Sequence, residues 1–423
     1  MSFRPRTSTH LTRDDSTLFY GYTFADFYGY PTAEFYGYPI SEPFGKYPVG
    51  DEVAFYRAAY LSQCGRQRTP DWDGPSIGRP LKVIHVSTHM LQAGIDQWLG
   101  ALMRFSNPNK IQFTRFVVTS DFVDSQQLAS IGVPIEVGGR ESVRRACVDA
   151  DIVLVSDPGD NADWFLDVRP KLCVFVAHGD GAWTALRLNQ LSPAIDHVVA
   201  VSKSVQQRVC NGHPTSVILN GVNAARLAAT RDRNEFRESL GFGPNDFVIG
   251  YVGRFSGEKR PAAVLQATRR LPHRFKALMV GFGHLRAELL DEANETLPGR
   301  YAFIRACEEI GNCYAAMDAL CLVSESEGYG LVIMEAMMTG TPVIVTPVGF
   351  VPEVIQNRVN GIIVNGEPAS IAEAALLLDQ HPDWARAVAM EGQAYAQQHG
   401  HASRMASEYE QLLQRLWQER NPL

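Results

Sequence analysis

Residues 324–353 constrain the fold more than any other part of this sequence. The apolar run 319–323 before them predicts a buried parallel strand, because strands covered on both faces are continuously apolar. A Gly-Tyr-Gly loop and a helical pattern from about Leu331 follow. Gly340 ends that helix, and the β-branched run 341–345 reads as the next strand. The segment therefore predicts a strand, a glycine-rich loop, a helix and a strand.

The same segment carries features of an anion-binding site. A helix that starts after a glycine loop attracts phosphate, because its free N–H groups and its dipole both favour negative charge. Glu327 in the loop and Glu335 in the helix would repel phosphate, whereas a carboxylate readily accepts hydrogen bonds from hydroxyl groups. A ligand with phosphates between two hydroxyl-bearing parts satisfies both demands, which indicates a nucleoside-diphosphate sugar.

Strand and helix patterns alternate from residue 81 to the C-terminus, which predicts α/β units with parallel sheets covered on both faces. The predicted strands are 82–86, 113–119, 135–137, 152–155, 172–176, 197–201 and 217–219, then 247–252, 276–280, 301–304, 319–323, 342–345 and 361–364. The predicted helices include 97–105, 142–148, 371–378, 384–399 and 403–417. The polar stretch 224–245 between the two strand sets is interpreted as the joint.

Several motifs in order resemble those of retaining glycosyltransferases of family 4, which have the GT-B fold. Glu327 and Glu335 enclose Gly-Tyr-Gly-Leu at the family's spacing. Val-Gly-Arg-Phe at 252–255, followed by Lys259, resembles its diphosphate clamp. Other matching segments are 200–204, 219–223, 280–283 and 348–353. The resemblance covers residue 81 to the C-terminus, and it implies two Rossmann-like, doubly wound parallel-sheet domains facing across a cleft.

The resemblance divides the chain into an acceptor domain at 81–222, a nucleotide-sugar donor domain at 223–402 and a C-terminal helix at 403–423. That helix is expected to pack back on the first domain. Residues 1–80 form an extension in which Gly21, Gly29, Gly37 and Gly45 mark an octapeptide repeat rich in Phe and Tyr. Two interpretations stay open: a poorly ordered segment, or a docking segment whose tyrosines bind a partner or a glycan.

The resemblance also implies a role for each candidate residue. The cations at 254 and 259 are expected to stabilise the charge that develops on the leaving diphosphate. The histidine at 178 is expected beside the donor sugar, the acid at 327 on its hydroxyls and the acid at 335 on the ribose. The expected catalytic residues are Arg254, Lys259, His178 and Glu327. The expected nucleotide-sugar-binding residues are Gly94, Gly253, Gly328, Tyr329, Gly330, Leu331 and Glu335.

The loop after the first strand departs from the family pattern, because Ala93 stands where the family commonly has the first of two glycines. Gly94 still permits a close backbone approach, and Asp96 either orients an acceptor hydroxyl or caps the helix. Arg305 replaces a common glycine near the expected nucleobase pocket. The acidic pair at 71 and 73 resembles a metal motif of another fold, but its position before the core favours a surface turn.

Composition narrows the function classes. The net charge of −7 argues against a nucleic-acid binder, and seven scattered cysteines indicate buried thiols in a reducing cytosol. The sequence shows neither an apolar run of ~18 residues nor a signal-peptide core. The expected location is cytoplasmic. Peripheral contact with the inner face of a membrane is left open through Arg104, Lys110 and Arg115.

The sequence thus predicts a retaining hexosyltransferase of glycan, glycolipid or polysaccharide synthesis. It moves sugar from a UDP- or GDP-linked donor to a hydroxyl of a glycan, a lipid-linked acceptor or a small molecule. No metal or other cofactor is expected beyond the nucleotide-sugar co-substrate. Two alternatives remain: a nucleotide-sugar epimerase or phosphorylase of the same fold, and a degenerate GT-B protein that binds a glycan or a partner.

Overall fold

The computed structural model describes residues 18–19, 22–23, 78–88, 94–119, 133–157, 163–168, 170–210, 212–305 and 309–421. Within the N-terminal extension, Leu18–Phe19 (β1) and Tyr22–Thr23 (β2) form an antiparallel pair. The rest of the octapeptide repeat and the acidic turn at 71–73 lie outside the described residues. The docking and disorder hypotheses for the extension therefore stay predictions.

The first half of the chain forms a seven-stranded parallel sheet in the order β5-β4-β3-β6-β7-β8-β9. Its strands are β3 (Leu81–Ser87), β4 (Ile111–Val118), β5 (Ile135–Val137), β6 (Ile152–Asp157), β7 (Cys173–Ala177), β8 (His197–Ala200) and β9 (Thr215–Val217). Its helices are α1 (Gly94–Phe105), α2 (Arg140–Asp149), α3 (Asp163–Val168), α4 (Ala182–Leu191) and α5 (Lys203–Val209). Every residue of β7 is buried, as expected for a strand covered by helices on both faces.

The second half forms a six-stranded parallel sheet in the order β12-β11-β10-β13-β14-β15. Its strands are β10 (Phe247–Arg254), β11 (Phe275–Phe282), β12 (Tyr301–Ile304), β13 (Ala319–Leu322), β14 (Val343–Val345) and β15 (Ile362–Ile363). Its helices are α6 (Arg233–Ser239), α7 (Ala262–Arg269), α8 (Arg286–Thr296), α9 (Ile310–Ala316), α10 (Leu331–Met338), α11 (Val351–Val354), α12 (Pro368–Gln380) and α13 (Pro382–His399). A last helix, α14 (Ala402–Arg420), ends the described chain.

The prediction of two doubly wound parallel sheets is confirmed. In each sheet the strand order reverses next to the first strand, at β3/β6 in one and at β10/β13 in the other. Loops that leave such a reversal point run to opposite faces and open a crevice at the carboxyl ends of the strands. The topology therefore places a ligand crevice after β10 and β13, where the sequence motifs of the second half lie.

Two predicted boundaries are wrong for physical reasons. The strand predicted at 217–219 is β9, two residues earlier, because its pairing with β8 sets the register from Thr215 to Val217. The polar stretch predicted as a joint at 224–245 is largely folded onto the second sheet unit. Arg237 of its helix α6 is only 2% exposed and donates hydrogen bonds to the carbonyl of Ala316 and the carboxylate of Asp318. Most other polar residues of 228–239 are exposed on the surface of this unit, and a folded surface segment has the same polar composition as a linker.

The chain crosses between the two units twice, and the crossings are bonded to each other. The Val222 N–H donates to the Gly400 carbonyl at 2.7 Å, and the Ala402 N–H donates to the Val222 carbonyl at 3.0 Å. Arg404 adds a bond to the carbonyl of Leu219 at 2.6 Å. The two passages thus form one hydrogen-bonded strap rather than two independent linkers.

Helix α14 returns to the first unit and packs against α1. Its Tyr409 and Leu413 are fully buried. Glu410 accepts a hydrogen bond from the backbone of Asn107 and pairs with Lys110 at 3.5 Å. Helix α14 therefore follows the second unit in sequence but packs on the first unit.

Alanine substitutions at two glycines, Gly221 in the strap and Gly100 in helix α1, test the strap between the two units. A Cβ at Gly221 would lie 2.5 Å from the Ala402 Cα, where neither backbone yields easily. We expect Gly221→Ala to lower the free energy of unfolding by about 1–3 kcal/mol, measured by chemical denaturation. In helix α1, Gly100 faces open space, and Gly100→Ala should instead stabilise the protein by about 0.5–1 kcal/mol. Equal effects of the two substitutions would contradict the strap.

Candidate active site

The site is built on two adjacent loops that follow β10 and β13. The loop after β10 contains a short 3-10 turn, Gly257–Lys259. The Glu325 N–H donates to the Glu258 carbonyl at 2.8 Å, and the Lys259 ammonium donates to the Ser326 carbonyl at 3.0 Å. The same ammonium lies 2.9 Å from Oε1 of Glu327. The sequence-predicted cation and acid are therefore direct neighbours.

Arg254 ends β10 and is held by an acid of its own loop. Its guanidinium lies 3.1 Å from Oε1 of Glu258, which also accepts from the Ser256 hydroxyl at 2.7 Å. Burial raises the pKa of Glu258, but the Arg254 charge and the Ser256 hydroxyl outweigh it and lower the pKa overall. An ionised Glu258 thus fixes Arg254 on the same loop as Lys259.

The glycine-rich loop has a shape that other residues would not permit. A Cβ at Gly328 would lie 1.7 Å from the His178 carbonyl oxygen, so the two sheet units meet backbone to backbone there. Gly330 has φ +79° and directly precedes α10, so no side chain caps this helix start. Tyr329 is buried and stacks on Phe350 with ring centroids 4.4 Å apart. Its side chain anchors the loop against Phe350.

Glu335, the second acid of the spacing motif, makes its contacts away from the Lys259–Glu327 pair. It is only 6% exposed on α10. The Tyr314 hydroxyl donates to its Oε2 at 2.7 Å, and Arg226 lies 3.3 Å from its Oε1. These two partners are missed by sequence reasoning. Arg226 follows the interdomain motif at 219–223 and so offers a weak signal, whereas Tyr314 offers none.

His178 follows β7 and is brought to the same place from the first unit. Its Nε2 lies 3.3 Å from the Ser156 hydroxyl. Its ring packs edge-on against the Trp98 ring, with ring centroids 4.6 Å apart. The Ser156 hydroxyl also lies 2.9 Å from Nε2 of His85, which is fully buried. Burial lowers the pKa of both histidines to about 3, so both rings are neutral near pH 7. Sequence reasoning missed Ser156 and His85.

Three further contacts join the two units at the crevice. Asp180 accepts from the Ser326 hydroxyl at 2.6 Å and pairs with Arg208 at 2.9 Å. The Ser202 hydroxyl donates to the Gly328 carbonyl at 2.9 Å. Glu353, which ends the last motif of the sequence, accepts from the Lys203 N–H at 2.7 Å. These bonds hold the glycine-rich loop against the first unit.

The remaining predicted residues lie around this contact. A Cβ at Gly94 would lie 3.8 Å from the Leu331 side chain, so Gly94 faces the start of α10. Gly253 packs so closely on β11 that a Cβ at Gly281 would lie 1.9 Å from its carbonyl. Asp96 is buried in the first turn of α1. Ala93 and the loop 306–308 after Arg305 lie outside the described residues, so the predictions for the acceptor loop and the nucleobase pocket are untested.

Other sequence expectations concern metals and membranes. Among the described residues, no three His, Cys, Asp or Glu side chains are grouped closely enough to hold a metal ion. No helix in the described ranges has the length and apolarity needed to span a bilayer. Lys110 pairs with Glu410, and Arg115 pairs with Glu136 at 3.1 Å. Two of the three basic residues considered for membrane contact are therefore engaged by acids.

Comparison with known proteins identifies the family of the second half. Residues 232–393 match the family of glycosyl transferases group 1. The predicted relationship to glycosyltransferases is confirmed at this level, whereas family 4 and a retaining mechanism stay predictions. The chain is 31% identical over 191 residues to an uncharacterised glycosyltransferase of Methanocaldococcus jannaschii, covering 41% of this chain and 48% of the relative. It is 31% identical over 200 residues to a D-inositol 3-phosphate glycosyltransferase of Corynebacterium urealyticum, covering 44% and 46%. The aligned segments thus span about half the length of these relatives.

Solved structures match nearly the whole described chain. The Anabaena protein HepE, in complex with UDP and glucose, superposes with a TM-score of 0.73 at 20% identity, covering 79% of this chain and 99% of HepE. A sucrose-phosphate synthase from Thermosynechococcus elongatus gives a TM-score of 0.63 at 17% identity, covering 80% and 100%. At these identities the matches establish the fold, and they confirm the predicted GT-B architecture.

The contact between Gly328 and His178 generates the first prediction for the site. Gly328→Ala places a methyl group against the His178 carbonyl, so we expect the two units to separate at the crevice while each keeps its fold. Small-angle scattering should show a larger radius of gyration than in the wild type. Gly181→Ala is the matched control, because a Cβ there meets open space. Unchanged scattering of Gly328→Ala would contradict the close packing.

The fully buried His85 generates a prediction about pH. Since the pKa of His85 falls from 6.5 to about 3 on folding, the unfolded chain binds the extra proton and stability falls as pH drops below 6.5. We expect the free energy of unfolding to fall by about 2 kcal/mol less in His85→Gln than in the wild type between pH 7 and pH 5. Denaturation at both pH values measures this, with the exposed His273→Gln as control. Parallel losses in His85→Gln and wild type would contradict it.

Proposed function

We propose that this member of glycosyl transferases group 1 is a retaining glycosyltransferase, which moves a sugar from a nucleoside-diphosphate donor to an acceptor hydroxyl. One observation carries the proposal. The Lys259 ammonium lies 2.9 Å from Glu327, in the loop that precedes α10. A cation for a diphosphate, an acid for hydroxyl groups and a helix start for phosphate oxygens meet in one place. A nucleotide sugar presents a diphosphate bonded directly to a hydroxyl-bearing sugar, and these protein groups match that pair.

The cations act on the leaving group. As the bond to the sugar breaks, negative charge grows on the diphosphate, and Lys259 and Arg254 stabilise that charge more than the ground state. The start of α10 adds backbone amides of the Gly330–Leu331 region and the positive end of the helix dipole. The two cations and the start of α10 are in place before the reaction and stabilise the charge as it develops.

The acids orient the two hydroxyl-bearing parts of the donor. Lys259 and the Ser324 hydroxyl both contact Oε1 of Glu327, so Oε2 is the oxygen proposed to accept hydrogen bonds from the sugar. A carboxylate has about four acceptor positions, and Glu335 therefore retains capacity for ribose hydroxyls beside Tyr314 and Arg226. His178 is proposed to lie at the sugar, on the side of the first unit.

The stereochemical outcome follows the family resemblance. A front-face reaction, in which the leaving phosphate helps to deprotonate the acceptor on the same side of the sugar, gives retention and needs no metal. The residues proposed to receive the acceptor belong to 81–222, near Gly94, and the residues that hold the donor belong to 223–402. HepE was crystallised with UDP-glucose, so UDP-glucose is the first donor to test. The name of the Corynebacterium urealyticum relative adds D-inositol 3-phosphate to the acceptors for the first screen.

Substitutions at the ion pair test the proposed function. A thermal-shift screen across UDP- and GDP-sugars first identifies a donor, because a bound donor raises the melting temperature. With that donor, Lys259→Ala and Glu327→Ala should each lower the rate of sugar transfer about 100- to 1,000-fold, without loss of the folded state. Arg269→Ala, at the exposed end of α7, should transfer at the wild-type rate.

The outcomes separate the proposal from its alternatives. Wild-type transfer rates in both Lys259→Ala and Glu327→Ala would refute the site. Turnover of the donor without an acceptor would indicate an epimerase, and a requirement for inorganic phosphate would indicate a phosphorylase. If no nucleotide sugar binds, a degenerate binding protein is the correct description.

A further inference from the structure

We propose that Ser156 and His85 are positioning residues that hold His178 as a neutral imidazole with its proton on Nδ1. The kinetic consequence rests on the proposed function, because His178 is the residue placed beside the donor sugar. The protonation state of the His178 ring does not depend on the proposed function, so it is measured without any substrate.

The three side chains lie on neighbouring strands of the first sheet. His85 is in β3, Ser156 is in β6, and His178 directly follows β7. The Ser156 hydroxyl is 2.9 Å from Nε2 of His85 and 3.3 Å from Nε2 of His178. One hydroxyl therefore bridges two imidazoles through the same type of nitrogen. A hydroxyl donates one hydrogen bond and can accept two. Among the described residues the Ser156 hydroxyl has these two ring nitrogens as its only partners, so its O–H donates to one histidine and its oxygen accepts from the other.

The surroundings of His85 decide which role each histidine takes. Its Nδ1 is buried and has no hydrogen-bond partner among the described residues. A buried N–H without a partner is rarer in proteins than an unsatisfied acceptor, so the proton of His85 belongs on Nε2. That N–H donates to the Ser156 oxygen. The Ser156 hydroxyl is then left to donate to Nε2 of His178, which places the His178 proton on Nδ1.

Aromatic rings enclose this chain of hydrogen bonds. Phe116 contacts the His85 ring at 4.9 Å, and Trp98 meets the His178 ring at 4.6 Å. Trp98 in turn contacts Tyr409 of α14, with ring centroids 5.7 Å apart. Phe116, Trp98 and Tyr409 are each at most 1% exposed. An apolar enclosure strengthens the hydrogen bonds and offers Ser156 few other partners.

The hydrogen bonds from His85 through Ser156 determine what the neutral His178 ring offers to the sugar. Burial also lowers the pKa of His178, so its ring is not a cation that competes with Lys259 for the diphosphate. With the proton fixed on Nδ1, His178 offers a hydrogen-bond donor to an oxygen of the sugar. The opposite tautomer would turn that nitrogen into an acceptor, and the interaction with the sugar oxygen would be lost.

Nitrogen NMR of the full chain with 15N-labelled histidine tests the proposal directly. The His178 signals are assigned by their loss in His178→Asn, and the nitrogen shifts report which nitrogen carries the proton. We expect Nδ1–H in the wild type and in Ser156→Thr, which keeps the hydroxyl. Ser156→Ala should populate the Nε2–H form. A wild-type ring protonated on Nε2 or on both nitrogens, or an unchanged tautomer in Ser156→Ala, would overturn the proposal. If Ser156→Ala fails to fold, the wild type and Ser156→Thr still decide.

Kinetics supply the second measurement. With the donor found by screening, Ser156→Ala should lower kcat about tenfold, the effect of one hydrogen bond in the transition state, with the donor KM within about twofold of the wild type. Ser156→Thr should restore kcat. An equal loss in Ser156→Thr would reduce Ser156 to a packing role and refute positioning. If the wild type transfers no sugar, the proposed function fails, while the tautomer result stands independently.

Discussion

The adjacency of β10 and β13 at the reversal point of the second sheet is the constraint on which the site depends. Because these strands are hydrogen-bonded neighbours, the loops that leave their carboxyl ends lie side by side. The backbone bond from Glu325 to Glu258 and the contacts of Lys259 with Ser326 and Glu327 follow from that position. Residues far apart in sequence thus lie side by side because the sheet places their loops together.

The two units are in close contact at the crevice. Gly328 touches the His178 backbone, while Asp180 and Glu353 bond across the crevice. The hydrogen-bonded strap at Val222 and the packing of α14 on α1 also hold the two units together. The proposed sugar transfer is favoured by a crevice that excludes water, since electrostatic stabilisation is stronger away from solvent. We propose that these contacts between backbone and short polar side chains close the crevice.

Sequence patterns predicted much of this architecture and part of its site. Strand and helix periodicity predicted the two parallel sheets. The spacing of Glu327 and Glu335, together with the motif that contains Lys259, indicated the two loops at the crevice. The sequence did not indicate the partners of those residues, such as Arg226 and Ser156. They are single polar residues in otherwise ordinary segments, and only tertiary packing brings them to their partners. The prediction of a joint at 224–245 was wrong because an exposed helix on a folded unit has the same polar composition as a linker.

A crystal structure of the chain with bound UDP would show whether the crevice holds the donor as proposed. We expect the diphosphate within hydrogen-bonding distance of Lys259 and of the backbone at the start of α10, with Arg254 beside it and the ribose at Glu335. UDP bound outside the crevice, or a diphosphate that contacts neither Lys259 nor the α10 start, would contradict this binding site.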